Sequence, residues 1–152
     1  RNPYLNKFIN ESRKNDLNLT VFPKSKSTSK ELIKRLNNKE IFALFSDHRD
    51  KGALVNFFGM EAKAPTGAIS LALKFDIPLI WGYNYFNSDN SCTSVVEKFE
   101  MVKTGNFKED VLNNTQRLIK NMEEVIRKHP EQWMWFHDRW SLYSKLYKGK
   151  RK

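Results

Sequence analysis

The chain has 152 residues, 39% hydrophobic and 13% aromatic, which excludes a disordered chain and predicts one globular domain with a buried core. Its 27 Lys and Arg residues outnumber 17 Asp and Glu residues, and the net charge of +10 favours anionic partners. The single cysteine, Cys92, excludes an internal disulfide framework, and no run of about 18 apolar residues predicts a membrane-spanning helix.

The N-terminal part predicts a helix, a strand and a second helix. Apolar residues follow Pro3 at helical spacing until about residue 15. Residues 17–22 alternate with a period of two, which predicts a strand. Thr28-Ser-Lys-Glu31 matches a capping box, in which a hydroxyl and a carboxylate satisfy the first amides of a helix.

The middle of the chain alternates between strands and helices. Residues 41–45 form a short apolar run, typical of a strand covered on both faces, and residues 54–58 are a second extended segment. Residues 65–75 predict a helix, residues 77–85 a strand, and residues 92–103 contain another strand. This order predicts an α/β sandwich with a mixed, mostly parallel sheet flanked by helices.

The last part predicts two helices separated by a proline. Asn106-Phe-Lys-Glu109 resembles a capping box and begins a long amphipathic helix, which His129-Pro130 interrupts. Beyond it, large rings recur at helical spacing, with lysines and an arginine near the end. Such a helix suits a membrane interface or, equally, an ordinary core with a basic tail. The rings are Trp133, Phe136, Trp140, Tyr143 and Tyr147.

Asp47-His-Arg-Asp-Lys-Gly52 follows the apolar run at residues 41–45, where open α/β sheets place binding sites. Asp47 can orient a catalytic group or accept a hydrogen bond from a substrate hydroxyl, and Arg49 and Lys51 can bind phosphate. His48 has the chemistry of a general base. A solvated charged turn remains the alternative interpretation.

Two glycine-containing segments follow. Phe57-Phe58-Gly59 and Pro65-Thr66-Gly67 have the residues expected where backbone approaches a ligand or where a helix start offers free amides to an anion. A tight turn that needs glycine is the commoner cause of such segments. The three histidines lack the paired spacing of a helical zinc site, so we expect no metal.

Several motifs, taken in their order along the chain, resemble the C-terminal half of the bacterial lipid A biosynthesis acyltransferases, of the lauroyl- and myristoyl-transferase type. Arg13 has a counterpart in that family's motifs; so do Asp47, Gly52, the Val-x-Phe-Phe-Gly sequence of residues 55–59 and the Thr-Gly of residues 66–67. The closing Pro-Glu-Gln-Trp-x-Trp-x-His-x-Arg-Trp spans residues 130–140. His48 departs from the family's usual glutamine, and Asp138 and Ser141 stand where basic residues are common.

The resemblance implies a glycerolipid-acyltransferase-like sandwich and transfer of a fatty acyl chain from acyl carrier protein to a lipid A precursor, with no cofactor. It places the protein at the cytoplasmic face of the bacterial inner membrane, against anionic lipid and without nucleic acid. Acceptor or pocket contacts would come from residues at seven positions: Arg13, Asp47, Gly52, Phe58, Gly59, Thr66 and Gly67.

The family's catalytic His-x4-Asp/Glu motif is not in this chain, because alanine, methionine and leucine lie five residues after His48, His129 and His137. The resemblance therefore implies that residues 1–152 are the C-terminal part of an acyltransferase domain whose anchor and general base lie upstream. The alternatives from other classes are a basic nucleic-acid-binding domain and a noncatalytic module that binds anionic membranes.

Overall fold

A computed structural model describes residues 2–22, 26–48 and 51–141 of the chain. Its contacts divide the chain into two compact units, Arg1–Ala43 and Leu44–Lys152. The described part contains helices and small antiparallel sheets, which confirms the mixed α/β class. No helix among the described residues is both long enough and apolar enough to cross a bilayer.

The first unit contains two helices. Helix α1 spans Pro3–Leu17, where the Asn2 side chain accepts hydrogen bonds from the first amides and Asn18 ends the helix with a φ of 51°. Helix α2 spans Lys26–Asn37, so it begins before Thr28 and not at the predicted capping box. Arg35 pairs with Glu31 and Glu40 on one side of α2.

Two strands predicted near these helices are wrong. Residue 17 is the last residue of α1, and residues 18–22 after it pair with no described strand. Residues 41–45 also pair with no described strand, and Ile41 is 98% exposed. A period-two or apolar pattern indicates which side chains of a segment can be buried. It does not provide the neighbouring strand with which the backbone of a strand must form hydrogen bonds.

The second unit begins with a hairpin that the sequence predicted only in part. Strand β1, Ala53–Phe57, pairs antiparallel with β2, Met60–Ala64, so that Ala53 faces Ala64 and Phe57 faces Met60. Phe58 and Gly59 form the two-residue turn with φ values of 51° and 80°, the geometry of a type I′ turn.

After the hairpin, helix α3 spans Gly67–Phe75 and leads into strand β3, Leu79–Phe86, which pairs antiparallel with β4, Cys92–Phe99. The described strands thus form two antiparallel pairs and not the predicted mostly parallel sheet, because each pair is joined by a short turn that reverses the chain.

Helix α4, Phe107–Lys128, organises the core of the second unit. Its start is capped as predicted, since the Asn106 side chain accepts a hydrogen bond from the Glu109 amide, and the helix ends at His129 before a 3-10 turn at Pro130–Gln132. Ile119 and Ile126 of α4 pack against Val55 and Phe57 of β1. A second apolar cluster joins Leu118 to Ile69 and Phe99.

The predicted aromatic helix after Pro130 is wrong for the described residues 133–141, which contain turns and bends. Trp133 and Trp140 pack against the core, whereas Phe136 is fully exposed. Tyr143 and Tyr147 lie outside the described residues. Trp133, Phe136 and Trp140 therefore do not share one helical face.

Candidate functional site

The closing segment, residues 130–140, is tied to the rest of the second unit by side chains that hydrogen-bond to distant partners. Gln132 bonds to both the amide and the carbonyl of Phe86, as a neighbouring strand would. The Trp140 indole donates to the Phe57 carbonyl over 2.9 Å. The segment therefore joins the edge of β3 to the end of β1.

Asp47 is also held by this closing segment. Its carboxylate accepts a hydrogen bond of 2.7 Å from the indole Nε1 of Trp133, and the Asp47 residue is otherwise exposed. An exposed carboxylate that accepts a hydrogen bond from a rigid indole retains acceptor sites for a ligand. Asp47 is therefore the predicted residue whose geometry best suits substrate contact.

Behind Asp47 lies Arg139, which is only 1% exposed. Its Nη2 donates to the carbonyl of Ser46 over 3.5 Å, and its guanidinium carbon lies 5.5 Å from the centre of the Phe57 ring. Burial lowers the pKa of the Arg139 guanidinium, while the charge of Asp47 raises it. Arginine remains charged under such shifts, so a buried cation lies beneath residues 46–48, the Asp47 loop.

Phe57 is the centre of the aromatic packing. It is fully buried, with the Trp140 ring stacked 5.4 Å from it and the Trp133 ring edge-on at 5.7 Å. The rings of Trp133 and Trp140 thus contact Phe57, and their indole N–H groups reach Asp47 and the Phe57 carbonyl. The position of Asp47 depends on this cluster.

The turn beside this cluster carries two more predicted residues. Phe58 adopts a positive φ that is unusual for a bulky side chain, and its amide donates to the buried carboxylate of Glu123 over 2.8 Å. Arg127 lies over the Phe58 ring, 4.9 Å from its centre. Gly59 has a φ of 80°, which glycine adopts without strain.

Gly52 has a steric reason to be glycine. A Cβ atom at this position would collide with the carbonyl oxygen of Ala64 and would approach the Cα of Pro65 to 3.1 Å. The backbone after the Asp47 loop therefore packs directly on the end of β2. Gly52 therefore shapes the site through backbone packing.

Thr66 and Gly67 lie at the start of α3, and Thr66 makes no side-chain capping bond. Thr66 lines a separate pocket of about 260 Å³, between the beginnings of β1, α3 and α4. Its lining is mostly apolar and does not include Asp47: Ala53, Thr66, Ser70, Phe107, Lys108, Val111 and Leu112. The predicted residues of the second unit therefore belong to two places.

Arg13 is exposed on α1, in the first unit. His48 is half-buried beside Asp47, and Arg49 lies outside the described residues. His129 stacks on Tyr85 with ring centres 4.3 Å apart, which is a packing role. Among the described residues, no three His, Cys, Asp or Glu side chains are close enough to hold a metal ion.

Sequence reasoning missed Arg139, Trp133 and Trp140 as parts of the site. Their signal was present in the closing motif, in which an arginine and three tryptophans lie within eight residues. The helical spacing of the rings predicted a shared helix face. It gave no information about the partners of the indole and guanidinium donors. Such donors need acceptors when they are buried, and those acceptors lie far away in sequence.

The chain matches a known protein family. The family described as bacterial lipid A biosynthesis acyltransferase matches residues 1–141, which is most of the chain. A search of curated proteins found no match.

Proposed function

Since the chain belongs to the family of bacterial lipid A biosynthesis acyltransferases, we propose that the complete protein transfers a fatty acyl chain from acyl carrier protein to a lipid A precursor. Residues 44–141 would supply a wall of the acceptor site. The observation that carries this role is the exposed Asp47 carboxylate, fixed by the Trp133 indole and placed over a buried cation.

The proposed chemistry needs a general base. The family's His-x4-Asp/Glu motif, which would supply this base, does not occur within residues 1–152. A histidine of a His-x4-Asp/Glu motif outside these residues takes the proton of the acceptor hydroxyl. The oxygen then attacks the thioester carbonyl, the new ester bond forms, and the carbon–sulfur bond breaks. The carrier thiolate leaves and receives the proton. Asp47 would accept a hydrogen bond from the acceptor and orient it.

We further propose that the protein works at the cytoplasmic face of the inner membrane, where its lipid substrate would lie. A charge of +10 suits anionic lipid. Met134 and Phe136 are exposed in the closing segment, as expected for contact with a lipid surface.

In the complete protein, the two hairpins would join a larger, mostly parallel sheet.

A direct assay of acyl transfer tests the proposal. The protein made from the complete coding sequence, incubated with acyl carrier protein thioester and a lipid A precursor, is expected to form the acylated lipid, detected by mass spectrometry. Residues 1–152 alone are expected to form none, because the base is missing. Comparable turnover by residues 1–152, or none by the complete protein, contradicts the proposal.

A further inference from the structure

Arg139 is an energetic anomaly. Its Nε and Nη1 atoms are buried and have no hydrogen-bond partner among the described residues. It forms no ion pair with a described carboxylate, and its remaining bond to Ser46 is long at 3.5 Å. A buried charge without a close partner normally lowers stability, and an apolar side chain of similar shape often serves the fold as well or better.

The contacts of Arg139 all concern the Asp47 loop and its support. The carbonyl that accepts from Nη2 belongs to Ser46, the residue before Asp47. The charge of Asp47 interacts favourably with the guanidinium. The ring below the guanidinium is Phe57, whose carbonyl accepts a hydrogen bond from the neighbouring Trp140. Arg139 thus acts on the peptide that carries Asp47 and on the charge of Asp47.

The guanidinium is poorly arranged to bind a substrate anion itself. Nε and Nη1 lie on different edges of the guanidinium plane, so they cannot hold one carboxylate or phosphate as a fork. Both atoms are also covered by protein, whereas the Asp47 carboxylate is exposed. The geometry favours an indirect role.

We infer that Arg139 is a positioning residue, which acts on the acceptor through Asp47 and is retained for function at some cost to stability. The inference rests on the proposed function, because it takes Asp47 as a contact of the acceptor. It predicts that the roles of Arg139 and Asp47 are coupled.

A double-mutant cycle in the complete protein tests this coupling. Arg139→Met and Asp47→Asn are each expected to lower kcat/KM for the acceptor, by up to about 100-fold for a misplaced contact. The double variant is expected to be no less active than Asp47→Asn alone. If the two losses multiply, Arg139 does not act through Asp47 and the inference fails.

The stability of Arg139→Met and the activity of Arg139→Lys distinguish a positioning residue from a residue that only supports the fold. Arg139→Met is expected to unfold at the same temperature as the wild type or higher, and Arg139→Lys, which keeps the charge, is expected to recover part of the activity. A large fall in Tm for Arg139→Met, or no recovery with lysine, would overturn the inference.

Arg117 provides a matched control. It also donates to a backbone carbonyl, that of Glu100, and lies over a phenylalanine ring, that of Phe99, at 5.3 Å. Arg117→Met is expected to keep wild-type kcat/KM, and an equal loss there would count against a specific role for Arg139. A wild-type protein without acyl transfer would refute the proposed function, whereas an active wild type with multiplying losses refutes only this inference.

Discussion

Replacement of Phe57 by alanine is expected to lower the free energy of unfolding by about 3–5 kcal/mol, the usual cost of truncating a buried phenylalanine. The side chain is fully buried and contacts the rings of Trp133 and Trp140 and the guanidinium of Arg139. Its loss leaves a cavity that these rigid groups cannot fill without breaking their own hydrogen bonds. Urea unfolding followed by tryptophan fluorescence measures the change.

Leu54 is the matched control for Phe57. It lies on the same strand but is 51% exposed, so Leu54→Ala is expected to cost less than about 1 kcal/mol. Equal losses for the two variants would show that the aromatic cluster is not the principal support of this unit.

Replacement of Asp47 by asparagine is expected to lower kcat/KM of the complete protein by about tenfold to 100-fold, the equivalent of losing one charged hydrogen bond worth about 1.5–3 kcal/mol. Asparagine keeps the shape of the side chain and retains an oxygen that can accept from the Trp133 indole. The variant therefore removes the negative charge while the loop keeps its support. Steady-state kinetics with varied acceptor concentration measure the effect.

Asp76 provides the control for this charge removal. It is exposed, takes a left-handed conformation that asparagine also adopts, and pairs with Lys103 at the surface. Asp76→Asn is expected to keep wild-type activity, since exposed ion pairs contribute little. Wild-type kinetics for Asp47→Asn, or an equal loss for Asp76→Asn, would remove Asp47 from the acceptor site.

The long helix was the most predictable element. Its start was marked by Asn106 and Glu109, its apolar face by the helical period, and its end by His129-Pro130, and all three are local signals. Strand β2 was missed, because alternating Ala62 and Ala64 carry little β propensity. A tight turn at residues 57–59 was among the interpretations, but the positive φ of Phe58 was not predicted, since such a φ is uncommon for phenylalanine.

Asp47 is the one residue of this cluster that was predicted as a candidate, and the contacts that hold it were not predicted. Asp47 was identified from its motif, whereas its partner Trp133 lies 86 residues away and the Trp140 bond spans 83. Local periodicity carries no information about such contacts, so the closing segment was predicted as a helix. The family match covers residues 1–141 and agrees with the resemblance drawn from the motifs.

The Trp133 indole tests most directly whether the acceptor contacts Asp47, because its N–H donates to that carboxylate. In the complete protein labelled with nitrogen-15, titration with the lipid A precursor is expected to shift the Trp133 indole signal, assigned by its absence from Trp133→Phe. The indole of Trp81, on β3, is expected to stay unchanged. An unchanged Trp133 signal at acceptor concentrations that saturate turnover would contradict the account.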